Sequence, residues 1–353
     1  HARQGVGRLH RVGGAFEHEI AVAEARMEVV RERVCAVTGA QAVTRAERIQ
    51  RLWSGYGEIV RLRLRGGAEP SVIVKLVQPP AASPALAAAE QRSHARKLRS
   101  YAVEMSFYQH YAARCGEACR VARALLCERI GDQWLFVLED LNAAGLAERR
   151  EQLPLHGLQA CLSWLAHFHA TFMREPATDL WPTGTYWHLD TRPDELARGP
   201  DDELRAAASW LDARLRAARH RTLLHGDAKV ENFCFTSDLR AVAAVDFQYV
   251  GGGTGVQDVA YFFSSCLDTR ACETHAAALL DHYFEALRRS LASTRPDIDS
   301  SALEVEWREL YPIAWADFCR FMSGWAPNHQ ARSGYAARMT ALALAALPAP
   351  IVM

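Results

Sequence analysis

The stretch Leu223–Phe235, LLHGDAKVENFCF, places five polar or charged residues between two short apolar runs. Eleven residues after its end, Asp246 follows a second apolar run within Ala243–Gly255, AAVDFQYVGGGTG. We expect LL and FCF to form short strands that hold the polar segment as a rigid loop, and a hairpin through residues 236–240 to bring Asp246 back beside it. The sequence therefore predicts one compact polar cluster at this point of the chain.

Asp227, Lys229 and Asn232 occur in the pattern H-x-D-x-K-x-x-N, an order that suits phosphoryl transfer. We interpret Asp227 as the base that orients an attacking hydroxyl group and accepts its proton. Asn232 and Asp246 would hold Mg²⁺ on the phosphates of a nucleotide, and Lys229 would offset charge that grows on the transferred group. The alternative for Asp227 and Asn232 is a helix N-cap with a turn, and for Lys229 a solvated loop position.

The composition excludes several other classes of protein. The 353 residues are 50% hydrophobic and 23% charged, as in an ordinary globular chain, and 41 basic residues balance 41 acidic ones. No net charge draws such a protein onto nucleic acid or an anionic membrane, and we expect neither as a partner. Nine scattered cysteines and no apolar run of membrane-spanning length favour a cytoplasmic chain without a disulfide framework.

HGDAKVEN followed by VDFQ resembles the catalytic and metal-binding loops of the protein-kinase-like small-molecule phosphotransferases. This group comprises the aminoglycoside phosphotransferases, the choline kinases and the ecdysteroid-kinase-like proteins. The DFQ triplet and the earlier LEDL are typical of the ecdysteroid-kinase-like branch, whereas Lys229 stands where that branch often has an aromatic residue or cysteine. The resemblance covers roughly residues 50–345 and implies ATP and Mg²⁺ as cofactors.

The resemblance also implies nucleotide-binding residues upstream of the loop. Gly55 and Gly57 in WSGYG correspond to a short glycine loop, although a third glycine is lacking, and Lys75 in VIVK corresponds to the strand lysine that contacts the phosphates. Glu104 in YAVEMSFY corresponds to the helix glutamate that holds this lysine. The three features occur in the order that the family requires.

Further family positions fall at the hinge and around the catalytic loop. In LFVLEDL, the backbone from Glu139 to Leu141 corresponds to the segment that pairs with the adenine edge. Asp258 corresponds to an aspartate that braces the catalytic loop, and its place before an apolar helical run predicts a helix N-cap. We expect His225 to be a hydrogen-bonded loop residue and not the base.

The implied fold is α+β: a protein-kinase-like bilobal fold with a small antiparallel-sheet N-lobe and a larger, mostly helical C-lobe. We predict an N-terminal extension over residues 1–40, helical in part from residue 17, a nucleotide-binding lobe over residues 41–141 and an acceptor-binding lobe over residues 142–353. Alternation over residues 59–65, the turn GGAEP and the β-branched run of residues 71–77 together predict a hairpin.

Other elements follow from the same kinds of pattern. We expect helices over 85–113, 158–173 and 202–218 and through the C-terminal third, and strands over 121–130 and 133–141. GGGTG at 251–255 is expected to form a compact turn. Because only twelve positions separate Asp246 from Asp258, the chain lacks room for the long activation segment that docks a peptide.

The function that these residues indicate is ATP-dependent phosphorylation of a hydroxyl group on a small molecule. The alternative is a kinase-like protein that binds a nucleotide or metabolite without turnover. Within the enzyme hypothesis the acceptor stays open between an aminoglycoside, a macrolide, a choline-like amino alcohol and a sterol-like alcohol. Aromatic residues between 307 and 325 belong mostly to the core, with some available for an acceptor pocket.

Overall fold

The computed structural model describes residues 27–80, 87–200, 202–326 and 334–348. The chain divides into two compact units: one contains the described residues up to Gln78 together with Ala124–Asp140, and the other contains those of Pro79–Arg123 and those from Leu141 onward. The first unit ends at Asp140, and residues 79–123 group with the second unit. The predicted lobes over residues 41–141 and 142–353 stay a prediction. The predicted extension over residues 1–40 falls largely outside the described residues.

The first unit is a five-stranded antiparallel sheet with the strand order β1-β2-β3-β5-β4. Its strands are β1 (Ala42–Arg51), β2 (Gly57–Arg65), β3 (Ser71–Val77), β4 (Ala124–Ile130) and β5 (Gln133–Glu139). Helix α1, described over residues 27–38, packs Val30 and Val34 into a core that includes Val60, Leu62 and Val72. The alternation of apolar residues in β2 thus buries one face of the strand, and the predicted hairpin of β2 and β3 is confirmed.

Strand β1 has no counterpart among the elements expected from the sequence. Its ten residues, AVTRAERIQR, are mostly exposed, and it lies at the edge of the sheet beside β2 alone. An exposed edge strand has no buried face to impose apolar alternation, and its charged side chains are typical of edges protected against further pairing. Because β1 lacks the alternation of apolar and polar residues, the sequence did not predict it as a strand.

Helices dominate the second unit. They are α2 (Ala88–His110), α3 (Leu155–Thr171), α4 (Pro193–Arg198), α5 (Glu203–Ala206), α6 (Ala208–Arg216), α7 (Gly255–Cys266), α8 (Thr269–Thr294), α9 (Ser300–Trp325) and α10 (Gly334–Ala345). Two small antiparallel pairs accompany them: β6 (Thr222–Leu224) with β9 (Gly251–Gly253), and β7 (Phe233–Phe235) with β8 (Val242–Ala244). The predicted α+β class, with an N-terminal antiparallel sheet and a mostly helical remainder, is confirmed.

Two local expectations are wrong. The single helix expected over residues 202–218 is interrupted at Ala207, which ends α5 and precedes α6. The GGG of residues 251–253 does not form a turn but strand β9, which pairs with β6, and Gly251 also bridges Trp181. Glycine has low strand propensity, so this pairing depends on tertiary neighbours that local pattern does not reveal.

The two small pairs position the polar segment. Strand β6 ends at Leu224, directly before His225, and β7 begins at Phe233, directly after Asn232. Residues 225–232 therefore form a loop anchored at both ends by buried strands. Within the described residues no helix is long and apolar enough to cross a membrane. All nine cysteines lie in the described residues, and none of them forms a disulfide there.

Candidate active site

One buried aspartate, Asp258, holds the backbone of the loop between β6 and β7. Asp258 Oδ2 accepts a hydrogen bond of 2.7 Å from the His225 backbone N–H, and Oδ1 accepts one of 3.0 Å from that of Gly226. His169 Nε2 lies 3.1 Å from Oδ2, and its Nδ1 lies 2.8 Å from the Tyr283 hydroxyl. The carboxylate is fully buried. It accepts hydrogen bonds from two backbone N–H groups of the loop that have no partner in a strand.

This arrangement corrects the expected helix N-cap. The N-cap of α7 is Thr254, which forms a capping box with Gln257, whereas Asp258 lies inside the first turn of the helix. Loop bracing, which the resemblance also implied for Asp258, is the role that its hydrogen bonds support.

Only glycine fits at position 226 of the loop. Its φ is +79°, and a Cβ atom there would lie 2.0 Å from the carbonyl oxygen of Tyr249. Both the left-handed conformation and the close backbone approach exclude a side chain. The chain therefore turns sharply between the brace at Asp258 and the following carboxylate, Asp227.

Asp227 is held on both of its carboxylate oxygens. Asn232 Nδ2 donates to Oδ2 at 3.0 Å and to the Asp227 carbonyl oxygen at 2.7 Å. The Tyr261 hydroxyl group donates to Oδ1 at 3.1 Å, and Lys229 Nζ lies 3.8 Å from Oδ2. The loop thus brings Asp227, Lys229 and Asn232 together, as their order in the sequence indicated.

Burial raises the pKa of Asp227 to about 7, with a further contribution from the nearby charge of Asp246. Lys229 and the hydrogen bonds from Asn232 and Tyr261 act in the opposite direction. A carboxylate with a pKa near neutrality can accept a proton at physiological pH more readily than an ordinary aspartate. A divalent cation bound beside it would lower this pKa again.

Asp246 reaches the loop through the hairpin of β7 and β8. The turn at residues 236–241 is closed by the Thr236 and Asp238 side chains, and Asp238 Oδ1 accepts from the backbone N–H of Arg240 at 3.1 Å. Beyond β8, the N–H of Val245 donates to the carbonyl oxygen of Asn232 at 2.9 Å. The hairpin expected through residues 236–240 is confirmed, and it places Asp246 next to Asn232 in the fold.

Asn232 and Asp246 suit a hard divalent cation. Asn232 Nδ2 donates both of its hydrogen bonds to Asp227, so the amide oxygen, Oδ1, is the atom left to act as an acceptor or ligand. Asp246 has φ +70°, in the left-handed region that few non-glycine residues adopt. An amide oxygen beside a carboxylate is the type of donor set that Mg²⁺ and Ca²⁺ bind.

His225 is hydrogen-bonded on both ring nitrogens. Its Nε2 lies 3.1 Å from the carbonyl oxygen of Val245, and its Nδ1 accepts from the Asp227 N–H at 3.3 Å. Burial lowers the pKa of the imidazole, which favours its neutral form. The expectation that His225 supports the loop and is not the base agrees with this geometry.

The candidate nucleotide-binding residues are distributed over both units. Lys75 lies on β3 in the first unit, buried, opposite Ile59 of β2 and Phe136 of β5, and its Nζ lies 6.0 Å from the centre of the Phe136 ring. Glu104 is buried on α2 in the second unit. The predicted pairing of the two stays a prediction.

Gly55 and Gly57 flank a turn in the first unit, at the start of β2. Both have positive φ, and Gly57 lies so close to the backbone of β3 that a Cβ would be 2.0 Å from the Leu76 carbonyl oxygen. The expected glycine loop is thus a tight turn whose glycines have a structural reason. Its contact with phosphate stays a prediction.

The expected hinge begins at the end of β5. Glu139 is the last residue of that strand, and Leu141, buried, is the first residue of the second unit. Between them, the buried carboxylate of Asp140 accepts from Arg61 Nε and from Ser71 Oγ, each at 2.7 Å. The side chain at this position is therefore fixed by the sheet, and pairing of the adjacent backbone with adenine stays a prediction.

Tyr261 is the site residue that sequence reasoning missed. It lies on α7, three positions after Asp258, so both side chains face the loop from one side of the helix. That spacing is a signal that could have identified it, once Asp258 was expected to contact the loop.

Comparison with known proteins connects this loop to one family. Residues 203–295 match the model of the ecdysteroid kinase-like family. The matched segment contains the loop, the hairpin and α7, and most of the chain lies outside it. The resemblance to protein-kinase-like small-molecule phosphotransferases is confirmed for this segment.

Three solved structures are similar to larger parts of the chain. Amicoumacin kinase in complex with AMP-PNP, Ca²⁺ and Ami is 16% identical, covering 83% of this chain and 85% of that one, with a TM-score of 0.47. Aminoglycoside-3'-phosphotransferase of type VIII is 16% identical (76% and 93% covered, TM-score 0.40). A choline/ethanolamine kinase family protein from Mesorhizobium loti is 15% identical (91% and 95% covered, TM-score 0.44). No curated protein matches the chain.

Proposed function

We propose that this chain, whose loop and hairpin match the ecdysteroid kinase-like family, is an ATP-dependent phosphotransferase that phosphorylates a hydroxyl group of a small molecule. The observation that carries the proposal is the environment of Asp227. Its carboxylate is buried, held by Asn232 and Tyr261, and lies 3.8 Å from Lys229 Nζ.

In the proposed reaction, Asp227 orients the acceptor hydroxyl group and accepts its proton as the new P–O bond forms and the bond to the leaving nucleotide breaks. The pKa of Asp227, raised to about 7 by burial, suits this proton transfer. The hydrogen bonds from Asn232 and Tyr261 hold the carboxylate in one orientation, which lowers the entropy lost on reaching the reactive geometry.

Asn232 Oδ1 and the Asp246 carboxylate would hold Mg²⁺. When bound, the ion would neutralise charge on the nucleotide phosphates. Lys229 extends from the same loop, with its side chain 37% exposed, and is proposed to stabilise negative charge on the transferred phosphoryl group. Lys75, Glu104, the turn with Gly55 and Gly57, and the backbone of Glu139 and Leu141 are proposed to bind the nucleotide.

A small acceptor fits this chain better than a peptide. Between Asp246 and the start of α7 at Gly255 the chain is occupied by β9 and the capping residue Thr254. No long segment is left in this interval to dock a polypeptide substrate.

Thermal unfolding with ATP, with and without Mg²⁺, tests nucleotide binding separately from turnover. A ligand at 100 times its Kd stabilises the folded state by about 2.7 kcal/mol. We expect wild type to be stabilised by ATP only when Mg²⁺ is present, and Asp246→Asn to lose the Mg²⁺-dependent part. Asp281→Asn, which changes an exposed residue on α8, is the matched control and should respond like wild type.

Turnover is then measured as ADP release with a panel of acceptor alcohols. The proposal expects at least one alcohol to accelerate release in wild type. Mg²⁺-dependent stabilisation without acceleration by any of them would favour a binding protein without turnover, and no stabilisation at all would contradict the nucleotide-binding proposal.

A further inference from the structure

Three tyrosines of the second unit form a series of neighbouring rings that begins at Asp227. Tyr261 donates to the Asp227 carboxylate, and its ring centre lies 5.4 Å from that of Tyr186. Tyr186 in turn lies 5.9 Å from Tyr249, whose ring stacks on Trp181 at 6.0 Å. Tyr186, Tyr249 and Trp181 are only partly buried, so part of each side chain is exposed to solvent.

Two arginines border the same tyrosines. Arg192, which is 9% exposed, donates from Nε to the Tyr186 carbonyl oxygen at 3.1 Å, and its guanidinium lies 5.7 Å from the Tyr186 ring centre. Burial raises the pKa of Tyr249, and the positive charges of Arg192 and of Arg96, which lies on α2, act against that rise. The charge of Asp227 and that of Arg192 both affect the hydroxyl groups of Tyr186 and Tyr249.

Arg96 donates hydrogen bonds to uncharged acceptors. Its Nη1 donates to the Thr191 carbonyl oxygen at 3.4 Å and its Nη2 to Ser93 Oγ at 3.0 Å. Its Nε is buried without a hydrogen-bond partner among the described residues. A guanidinium group that is partly buried and incompletely hydrogen-bonded is costly unless an anion meets it.

The surrounding charges leave an excess of positive charge. Burial lowers the pKa of Arg96 and of Lys97, and repulsion from Arg192 lowers both further. Glu195 opposes these charges, but it is shared between Arg192 and Arg198, each at 3.6 Å. Asp194 is paired with Arg92.

We propose that the acceptor carries a carboxylate, which Arg96 and Arg192 bind, while its hydroxyl-bearing part packs against Tyr186 and Tyr249 and presents the hydroxyl group to Asp227. The planar guanidinium group binds a carboxylate through two parallel hydrogen bonds, and the partly exposed tyrosine rings supply apolar contact. This deepens the proposed function, on which it rests, and names a class of acceptor: hydroxy acids. Polycationic acceptors and quaternary amines are disfavoured, because they would add positive charge beside two arginines.

Calorimetry without nucleotide tests the carboxylate site directly, using 4-hydroxyphenylacetate, 4-hydroxyphenylacetamide and tyramine. The three probes share the hydroxyphenyl group and carry a negative charge, no charge and a positive charge. We expect the carboxylate to bind at least tenfold more tightly than the amide, and tyramine to bind least. Arg96→Gln should weaken carboxylate binding about tenfold or more, in line with the loss of a charge-assisted hydrogen bond.

Arg92→Gln is the matched control, because Arg92 lies one turn earlier on α2 but is half exposed and paired with Asp194. It should bind the carboxylate like wild type, and Arg96→Lys should bind it with intermediate affinity. The melting temperature of each variant shows whether it is folded.

Three results would each overturn the hydroxy-acid proposal. The amide or the amine could bind as tightly as the carboxylate, or Arg96→Gln could bind the carboxylate with unchanged affinity. The third is that wild type shows no binding of 4-hydroxyphenylacetate at about 10 mM. None of these results depends on nucleotide. Failure of the phosphotransferase proposal would appear separately, as the absence of Mg²⁺-dependent stabilisation by ATP.

Discussion

The Tyr261 hydroxyl group donates a 3.1 Å hydrogen bond to Asp227 Oδ1, from a position on α7 one turn after the aspartate that braces the loop. Both residues are buried, and the ring of Tyr261 is fixed by Trp187 and Phe318 at 4.8 and 5.2 Å between ring centres. The helix that holds the loop backbone therefore also orients the proposed base.

Replacing Tyr261 by phenylalanine removes this hydrogen bond and leaves the ring in place. A hydrogen bond to a charged group contributes about 1.5 kcal/mol or more, so we expect kcat to fall about tenfold while the Kd for Mg·ATP stays within twofold. Steady-state kinetics and ATP titration measure both. Tyr335→Phe is the control, since its hydroxyl group contacts Tyr311 away from the loop, and equal kcat in the two variants would remove the orienting role of Tyr261.

In the absence of metal, Asp227 should make the folded protein less stable as the pH rises through about 7. Burial raises its pKa from 3.8 to about 7, so the folded state holds this proton more tightly than the unfolded state. The stabilisation associated with the protonated carboxyl group is fully present below about pH 4 and is lost as the pH rises through about 7. Asparagine cannot ionise and avoids this loss.

We therefore expect Asp227→Asn to gain stability relative to wild type between pH 5 and pH 8 in EDTA, by about 1–3 kcal/mol. Thermal or urea unfolding at the two pH values measures the difference. A stability difference between variant and wild type that does not change with pH would show that the Asp227 pKa is not raised in the folded protein.

The Asp258 brace should be necessary for a stable loop. Asp258→Asn leaves a single oxygen for two backbone donors and places an amide N–H against one of them. An unsatisfied buried polar group costs about 1–3 kcal/mol, and we expect a loss of about 2–4 kcal/mol in the free energy of unfolding. Asp281→Asn, at a residue that is 68% exposed, should change it by less than about 0.5 kcal/mol. Similar values for the two variants would contradict the brace.

Gly55 and Gly57 differ in what a side chain would meet. At Gly55 a Cβ would contact nothing within 4 Å, whereas at Gly57 it would lie 2.0 Å from the Leu76 carbonyl oxygen. We expect Gly55→Ala to cost about 1 kcal/mol, from its positive φ alone, and Gly57→Ala to cost several times more. Urea unfolding followed by circular dichroism compares the two variants, and equal losses would refute the close approach of β2 and β3.

The parts of the fold that were predictable carry strong local patterns. Alternation in β2 reflects a strand with one buried face, and the β-branched residues of β3 reflect a strand that is buried on both faces. The apolar run of α3 reflects a helix buried on most sides. Strand β1 lacked such a pattern because it is an exposed edge. Strand β9 lacked it because three glycines have no side chains from which to read a period.

The candidate site was predictable to the extent that its residues are close in sequence. Asp227, Lys229 and Asn232 share one loop, and a single short hairpin returns Asp246 to it. Tyr186 and Arg96 reach the same region from elements far away in the sequence, and only the tertiary fold brings them near. Spacing along the chain contains no information about such contacts.

Transfer of the γ-phosphoryl group from radiolabelled ATP to an acceptor alcohol, compared between wild type and Asp227→Asn at saturating Mg·ATP, tests the central claim most directly. We predict labelled product with wild type, and a turnover at least about a thousandfold lower with the variant, while Mg²⁺-dependent stabilisation by ATP is retained. Wild-type turnover by Asp227→Asn on the same acceptor would contradict the assignment of Asp227 as the base.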